Sequence, residues 1–390
     1  MLAKSEKVTS TANLEDDGIF IALPPKQHPV IRLNAICPYY TMFPLEFPFN
    51  ALNEAKKGDW VLDPFCGRGT TNFAARLRGL PSIGLDASPV AVAIAKSKFT
   101  QVNPSDVVRA CSRILKDNRI PESVPAGDFW DLCYHPETLY QIALIREYLH
   151  ENDLSSEEIA LRAIMLGILH GPRMKGKPSY LSNQMPRTYA TKPGPAIKFW
   201  KNKEEKPNYI DLMELVKRRS AYVFSQIPPI VEGNAYCVDS REIFTEKLNT
   251  NFKWIITSPP YYGMRSYLSD QWLRYWFIGG PSDVFYDING LISHKSITNF
   301  ISDLAKVWRN VAEVCEPGTH LIVRFGTIPS VKKDPTTIIM DSLQRAGCGW
   351  EVSKVSPAGN ARKGNRQSDQ FLQAISQPCE EIDICAILER

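Results

Sequence analysis

The chain has 390 residues, 44% apolar and 23% charged, with a net charge of +4, a composition that fits two domains or one domain with a large insertion and permits a polyanionic partner without requiring one. Its nine cysteines are scattered singly, with no Cys-x-x-Cys and no histidine at ligand spacing, which excludes a disulfide scaffold, gives no metal site and predicts reduced thiols in the cytoplasm. No apolar run approaches about 18 residues and the N-terminal stretch lacks an apolar core, so neither a membrane span nor a secretory signal is expected.

Residues 1–36 are polar and carry Pro24-Pro25, which predicts a loose arm lying on the body. Residues 37–58 turn apolar and aromatic, with an amphipathic helix expected over Phe47 to Lys57, ended by Gly58. A short strand then closes at Asp63. The turn Pro64-Phe65-Cys66-Gly67-Arg68-Gly69 follows, and a helix starts near Thr70-Thr71. A second strand, Ser82 to Asp86, ends on an acid, and a helix over Val90 to Lys98 comes next. Strand, glycine turn, helix, strand and acid make the front half of a nucleotide-binding doubly wound sheet. The glycines let backbone approach a ligand, and an acid on the second strand can accept both ribose hydroxyls. Asn72 stands where a dinucleotide fingerprint has its third glycine, so adenosine without a diphosphate fits better.

Between Thr100 and about Val231 the sheet pattern stops. Residues 137–170 show helical periodicity through Ile142, Ile145, Leu149, Ile159, Ile164 and Ile168. From Arg173 to Arg219 there are twelve Lys or Arg against four Asp or Glu, interleaved with Tyr180, Tyr189, Phe199 and Trp200. That mixture suits a nucleic-acid groove and equally a solvated loop with aromatics tucked into helices.

Strand signals return at Asn234 to Asp239 and at Trp254 to Thr257. The second of these runs into Ser258-Pro259-Pro260-Tyr261-Tyr262-Gly263. Two prolines stop the strand and stiffen the turn. The Ser258 and Pro259 carbonyls can then be held rigidly toward one pocket, with Tyr261 as a plane on which a flat ligand stacks. Such an acceptor pair suits an exocyclic amino group of a planar base. Beyond it come an aromatic run, Tyr267 to Trp276, and a helix over 297–315 closed by Pro317-Gly318. A central strand at Leu321 to Phe325, a helix at Ile338 to Ala346 and strands at Glu351 to Val355 and Ile382 to Leu388 complete the pattern. A basic loop, Arg362 to Arg366, separates the last two strands.

Taken in order, DPFCGRGT, LDAS, CVDS and ITSPPYYG close four successive strands. This resembles the S-adenosylmethionine-dependent amino-methyltransferases of DNA, the N4-cytosine and N6-adenine enzymes. The upstream YYTMFPLEF segment looks like that family's cofactor-flanking motif. The resemblance covers residues 37–100 and 233–330, and SPPY is the form more typical of N4-cytosine members. It implies an α/β fold with a Rossmann-like seven-stranded methyltransferase sheet, its last strand antiparallel, and a large mainly helical insertion at 101–232. The catalytic domain would comprise 37–100 and 233–390, and the insertion would be the candidate target-recognition region.

Carried over position by position, Asp63, Gly67 and Gly69 would hold the methionine end of S-adenosylmethionine, Asp86 the ribose and Asp239 the adenine amino group. Pro64, Phe65 and Thr70 complete the expected cofactor set. Ser258, Pro259, Pro260 and Tyr261 would form the target-amine site, with Tyr261 or Tyr262 stacking on the flipped base. The implied partners are double-stranded DNA and a cognate restriction endonuclease, with no membrane. N6-adenine methylation or methylation of an RNA or tRNA base are the alternatives on the same fold. A protein glutamine methyltransferase and a non-catalytic scaffold are the remaining rivals.

Other chemistry-bearing residues carry plainer readings. Cys66 is expected to pack as a small apolar residue, and Pro378-Cys379 follows every other motif. Asp128, Asp131 and His135 are read as surface acids and a helix start, and His170 as a helix end. Asp270-Gln271-Trp272 either lines the base pocket or starts a helix that buries Trp272.

Overall fold

A computed structural model describes residues 19–39, 43–117, 119–173, 176–186, 192–242, 248, 250–263, 270–284, 292–294, 296–327, 333–360 and 380–389. Tyr40 to Met42 of the upstream motif, Tyr189, Tyr267 to Ser269, the basic loop Arg362 to Arg366 and Pro378-Cys379 lie outside the described residues. So do residues 1–18 of the arm.

The first half of the sheet forms as its sequence pattern demands. Strand β1 (Val61–Asp63) is followed by α2 (Thr70–Leu77), after a short α1 (Glu46–Ala51). Strand β2 (Ser82–Asp86) leads to α3 (Pro89–Lys96), which starts with Pro89 at its first position and the Ser88 hydroxyl accepting from the Ala91 amide. The helices α4 (Pro104–Lys116), α5 (Asp128–Cys133), α6 (Pro136–Glu151), α7 (Ser156–Ile168), α8 (Pro193–Asn202) and α9 (Leu212–Val223) fill the stretch where the sheet pattern stops. Asn103 with Asp106 and Ser155 with Glu158 form capping boxes that start α4 and α7. Strands β3 (Gly233–Cys237) and β4 (Phe252–Thr257) then resume the sheet. They are followed by α10 (Trp272–Phe277), α11 (Ile297–Ala312), β5 (Cys315–Gly326), α12 (Pro335–Ala346), β6 (Trp350–Asn360) and β7 (Glu380–Leu388).

The seven strands lie in one sheet, ordered β3-β2-β1-β4-β5-β7-β6. All pairs from β3 to β5 are parallel, and β7 runs antiparallel between β5 and β6. This is the expected Rossmann-like sheet with its last strand inserted antiparallel. Successive residues of β1 and β4 face opposite layers. Val61, Trp254 and Ile256 pack with Phe47 and Ala75, whereas Leu62 and Ile255 pack with α11 and α12 residues such as Leu304 and Ile339.

Three local expectations are corrected. The helix expected over Phe47 to Lys57 stops at Ala51, because tighter turns close after it (Asn53 N to Asn50 O and Ala55 N to Leu52 O) and the Asn53 side chain accepts from Arg78. Pro317-Gly318 does not close a helix. The helix ends at Ala312, and the pair sits inside β5, where a register shift opposite Phe252 to Trp254 absorbs it. The arm is not loose from residue 29 onward. A 3₁₀ helix, Pro29–Ala35, places Val30 and Leu33 at its three-residue period with Ile36 following, all within the core shared by α2, α3 and the helices of the insertion. Among the described residues no helix is long and apolar enough to cross a membrane.

Arg76 holds the insertion's two ends to α2. It is 1% exposed and donates to the carbonyls of Lys98, Thr100, Pro228 and Pro229 and to Gln101 Oε1, at 2.6 to 2.9 Å. Buried acceptors stripped of their donor each cost about 1–3 kcal/mol. Arg76→Met, which keeps the bulk, is therefore expected to lower unfolding stability by roughly 3 kcal/mol or more, read as a shift of the urea midpoint at unchanged slope.

Candidate active site

The candidate site lies where the strand order reverses direction. From β1 the chain builds outward through β2 to β3, then returns to place β4 on the other side of β1. The loops after β1 and β4 therefore flank one crevice at the carboxyl ends of the strands, the usual ligand position in such sheets. The register Leu62 to Ile255 sets Asp63 level with Ile256, and the next residue, Thr257, reaches the Asp63 carboxylate by its hydroxyl.

Asp63 is fully buried. Its Oδ1 accepts from the Thr257 hydroxyl at 2.6 Å and from the Phe65 amide at 3.0 Å. Its Oδ2 is buried with no hydrogen-bond partner among the described residues. Burial pushes this carboxyl up to about 6, against the pull of those two donors and of the nearby Thr71 hydroxyl, whose own hydrogen bond goes to the Ile256 carbonyl at 3.3 Å. The glycine turn beside it is braced by Asp86 at the tip of β2, which accepts from the Gly67 amide at 2.9 Å and the Ser88 amide at 2.8 Å. Desolvation raises the Asp86 carboxyl, and those amides pull it back.

Gly69 has φ +80°, and a Cβ there would stand 3.1 Å from Ala95 and from the Lys98 side chain, so only glycine lets α2 start this close to α3. Gly67, at φ +51°, faces open space bounded by the Tyr39 ring at 3.9 Å. Thr70 is buried at the first turn of α2. Phe65 meets Trp308 edge to face, and the Pro64 carbonyl accepts from the Ser240 hydroxyl at 2.6 Å.

Asp239 follows β3 and lies in an ion-pair network. It accepts from the Arg241 amide and from Arg241 Nε at 2.9 Å and Nη2 at 2.5 Å, while Arg241 Nη1 reaches Asp303 on α11 at 2.9 Å. Hydrogen bonds donated to both carboxylates hold the guanidinium charged.

On the β4 side, Ser258 and Pro260 are half-buried and Pro259 is buried. Tyr261 donates its hydroxyl to Glu381 Oε1 on β7 at 2.8 Å, and its ring meets Phe325 edge to face. Tyr262 packs against Phe300 and His294, and the Gly263 amide donates to His294 Nδ1 at 3.1 Å. Burial lowers the His294 imidazole, which favours the neutral acceptor form this bond requires.

The structure thus gathers Asp63, Pro64, Phe65, Gly67, Gly69, Thr70 and Asp86 around one turn, with Ser258 to Tyr261 leaving the adjacent strand. Sequence reading gave no individual role to Thr257, Arg241, His294 or Glu381, and placed Tyr39 only within the segment that resembles the family's cofactor-flanking motif. Thr257 adjoins the Ser258 motif and Tyr39 lies in the upstream aromatic segment, so adjacency to the motifs was an available signal for both. Glu381 and His294 come from distant sequence and carried none.

The plainer readings fall out directly. Cys66 is buried and its thiol is raised well above its ordinary range by desolvation, an inert packing residue. Asp128 pairs with Lys201, and His135 caps α6. His170 lies just beyond α7, buried, with Nδ1 2.6 Å from the Ser182 hydroxyl. Trp272 packs with Phe129 and Trp130, Gln271 stands just before α10 with its Oε1 accepting from Arg274 Nη1, and Asp270 meets Lys192. Trp200 is core against Phe129, whereas Lys198, Lys203 and Lys206 remain exposed.

Residues 27–97 match a family model described as DNA methylase. The chain is 24% identical over 342 residues to the type II methyltransferase M.MvaI of Kocuria varians, covering 73% of each protein. It is 35% identical over 82 residues to the type II methyltransferase M.BsoBI of Geobacillus stearothermophilus, a match spanning 20% of this chain and 16% of that protein. Among solved structures, an rRNA methylase from Streptococcus thermophilus aligns over 90% of this chain and 100% of its own at 6% identity and a TM-score of 0.34. By its family-model match and the M.MvaI relative, the chain is similar to DNA amino-methyltransferases.

Proposed function

We propose that this chain is a site-specific DNA methyltransferase that moves a methyl group from S-adenosylmethionine to the exocyclic amine of a flipped base, N4 of cytosine in the reading that the Ser258-Pro259-Pro260-Tyr261 form favours. The observation that carries the proposal is the Thr257–Asp63 hydrogen bond, which joins the glycine-turn strand to the Pro-Pro-Tyr strand at neighbouring ends of one sheet. DNA as substrate is supported by the family match and by the type II methyltransferases among the relatives. On this reading a cognate restriction endonuclease is the implied partner, and residues 101–232 are the candidate target-recognition region.

The residues of the crevice fit the cofactor. Asp63 Oδ2, buried and unpartnered, suits the ammonium of the methionine end, Gly67 leaves backbone room, and Asp86 offers acceptor lone pairs for the ribose. Asp239 would contact the adenine amino group from within its Arg241 network, so Arg241 belongs to that wall of the pocket. When bound, S-adenosylmethionine supplies an electrophilic methyl group on a sulfonium.

The chain does the rest by positioning and electrostatics. An exocyclic amine is a poor nucleophile because its lone pair is delocalised into the ring. The Ser258 and Pro259 carbonyls accept its two hydrogens and favour a tetrahedral nitrogen with a localised lone pair. Pro259 and Pro260 keep those acceptors from turning away. Tyr261, its hydroxyl fixed by Glu381, offers the flipped base a ring face.

Incubation with radiolabelled S-adenosylmethionine and plasmid DNA, tRNA or bulk protein should label the DNA, and digestion to nucleosides should yield N4-methylcytosine. N6-methyladenine would establish the alternative base, and label confined to tRNA or protein would reject the proposal. Tyr261→Ala should lower turnover by about tenfold, the scale of one lost stacking contact, while leaving cofactor affinity within about threefold.

Asp63 sets a pH dependence of known sign. Binding the ammonium requires the carboxylate, so cofactor affinity measured by calorimetry should be level above pH 7 and fall as pH drops through about 6. Asp63→Asn should weaken binding and remove that limb. The same substitution should stabilise the unliganded chain. The folded carboxyl is raised from its ordinary 3.8 to about 6, so its contribution to stability is full below the lower value and lost as pH rises through the upper. The gain should reach about 3 kcal/mol at pH 8 and shrink toward pH 5, measured by urea unfolding.

A further inference from the structure

Thr257 is the last residue of β4 and is fully buried. Its hydroxyl has one hydrogen, and Asp63 Oδ1 receives it at 2.6 Å. The Phe65 amide reaches the same oxygen at 3.0 Å, so Oδ1 is occupied while Oδ2 is left bare. One residue earlier, the Ile256 carbonyl accepts from the Thr71 hydroxyl of α2 at 3.3 Å. The final two residues of β4 are therefore each hydrogen-bonded to the segment 63–71 that carries the glycine turn. The motif-bearing loop Ser258 to Gly263 begins directly after.

We infer that Thr257 is a positioning residue for cofactor binding: its hydroxyl orients the Asp63 carboxylate so that Oδ2 faces the cofactor's ammonium, tying the grip on the methyl donor to the strand that presents the target-amine loop. The inference rests on the proposed role of Asp63. A residue that only filled space here would be replaced equally well by valine, which has the same shape and no donor. A residue that orients the carboxylate is replaced by serine, which keeps the donor and loses only a methyl group. Loss of the donor also leaves a buried carboxylate less supported, and its proton is then held to higher pH.

The test is titration calorimetry with S-adenosylmethionine from pH 5 to pH 8 on the wild-type chain, Thr257→Val and Thr257→Ser, with thermal melting to verify folding. Thr257→Val is expected to bind at least about tenfold more weakly at pH 7, the scale of one hydrogen bond to a charged group. Its acid limb should move up by about one pH unit, while Thr257→Ser stays within about threefold of wild type on both readings. Should the valine variant not fold, Thr257→Ala takes its place with the same expected shifts. Wild-type affinity and an unmoved acid limb in the donor-less variant would overturn the inference alone. Absence of binding by the wild-type chain would overturn the cofactor reading and the inference with it.

Discussion

A buried carboxylate at the point where the sheet reverses its strand order is the constraint around which this molecule is arranged. Desolvating Asp63 is unfavourable for folding, and the Thr257 hydroxyl, the Phe65 amide and the nearby Thr71 hydroxyl offset only part of that. A sequence selected for stability alone would place an amide or an apolar residue there. A buried, half-satisfied acid is the kind of local inconsistency that marks a ligand site, and it is the observation behind the cofactor role proposed for Oδ2. The neighbouring parts answer to the same constraint: Asp86 braces the glycine turn from β2, and Thr257 and Thr71 tie β4 to it.

What could be read from the sequence was whatever is written locally. Gly67 and Gly69 announce a turn because their φ values require glycine, and the acid ending β2 announces itself by ending an apolar run. Pro259-Pro260 announces a stiff stop. Each of these signals is written next to the element it marks, so the strand–turn–helix–strand order and most of the candidate site were legible. The interior β5 was misread at its start because Pro317-Gly318 signals a turn, and only the pairing partner, by shifting register, lets a strand run through it. The 3₁₀ helix at Pro29–Ala35 was missed because its three-residue apolar period is short and follows a proline pair that reads as loop.

The remaining site residues arrive by long-range pairing. Glu381 reaches Tyr261 because β7 is inserted beside β5, a placement that depends on the whole sheet order. Arg241 links Asp239 to Asp303 across 62 positions of chain, and no window of sequence contains that geometry. This network also changes what Asp239 can do. Four close contacts from Arg241 fall on its two oxygens, so an added ligand amino group must share lone pairs already in use. Recognition on that wall is then a property of the Asp239–Arg241 pair, and the two cannot be assigned separate roles.

The same interdependence governs the insertion. It has no core of its own: Trp272 and Trp276 of α10 interlock with Phe129 and Trp130 of α5, and Trp200 of α8 meets Phe129 from the other side. Arg274 on α10 donates to the Leu166 carbonyl of α7 and to the Pro38 carbonyl just before Tyr39. The exposed lysines of α8 are therefore carried on a helix locked to the elements that border the crevice. A DNA backbone held by those lysines would stand in a fixed frame relative to the Pro-Pro-Tyr loop. Contacts that register the duplex would then also position the flipped base, with little orientational freedom left to lose at the chemical step.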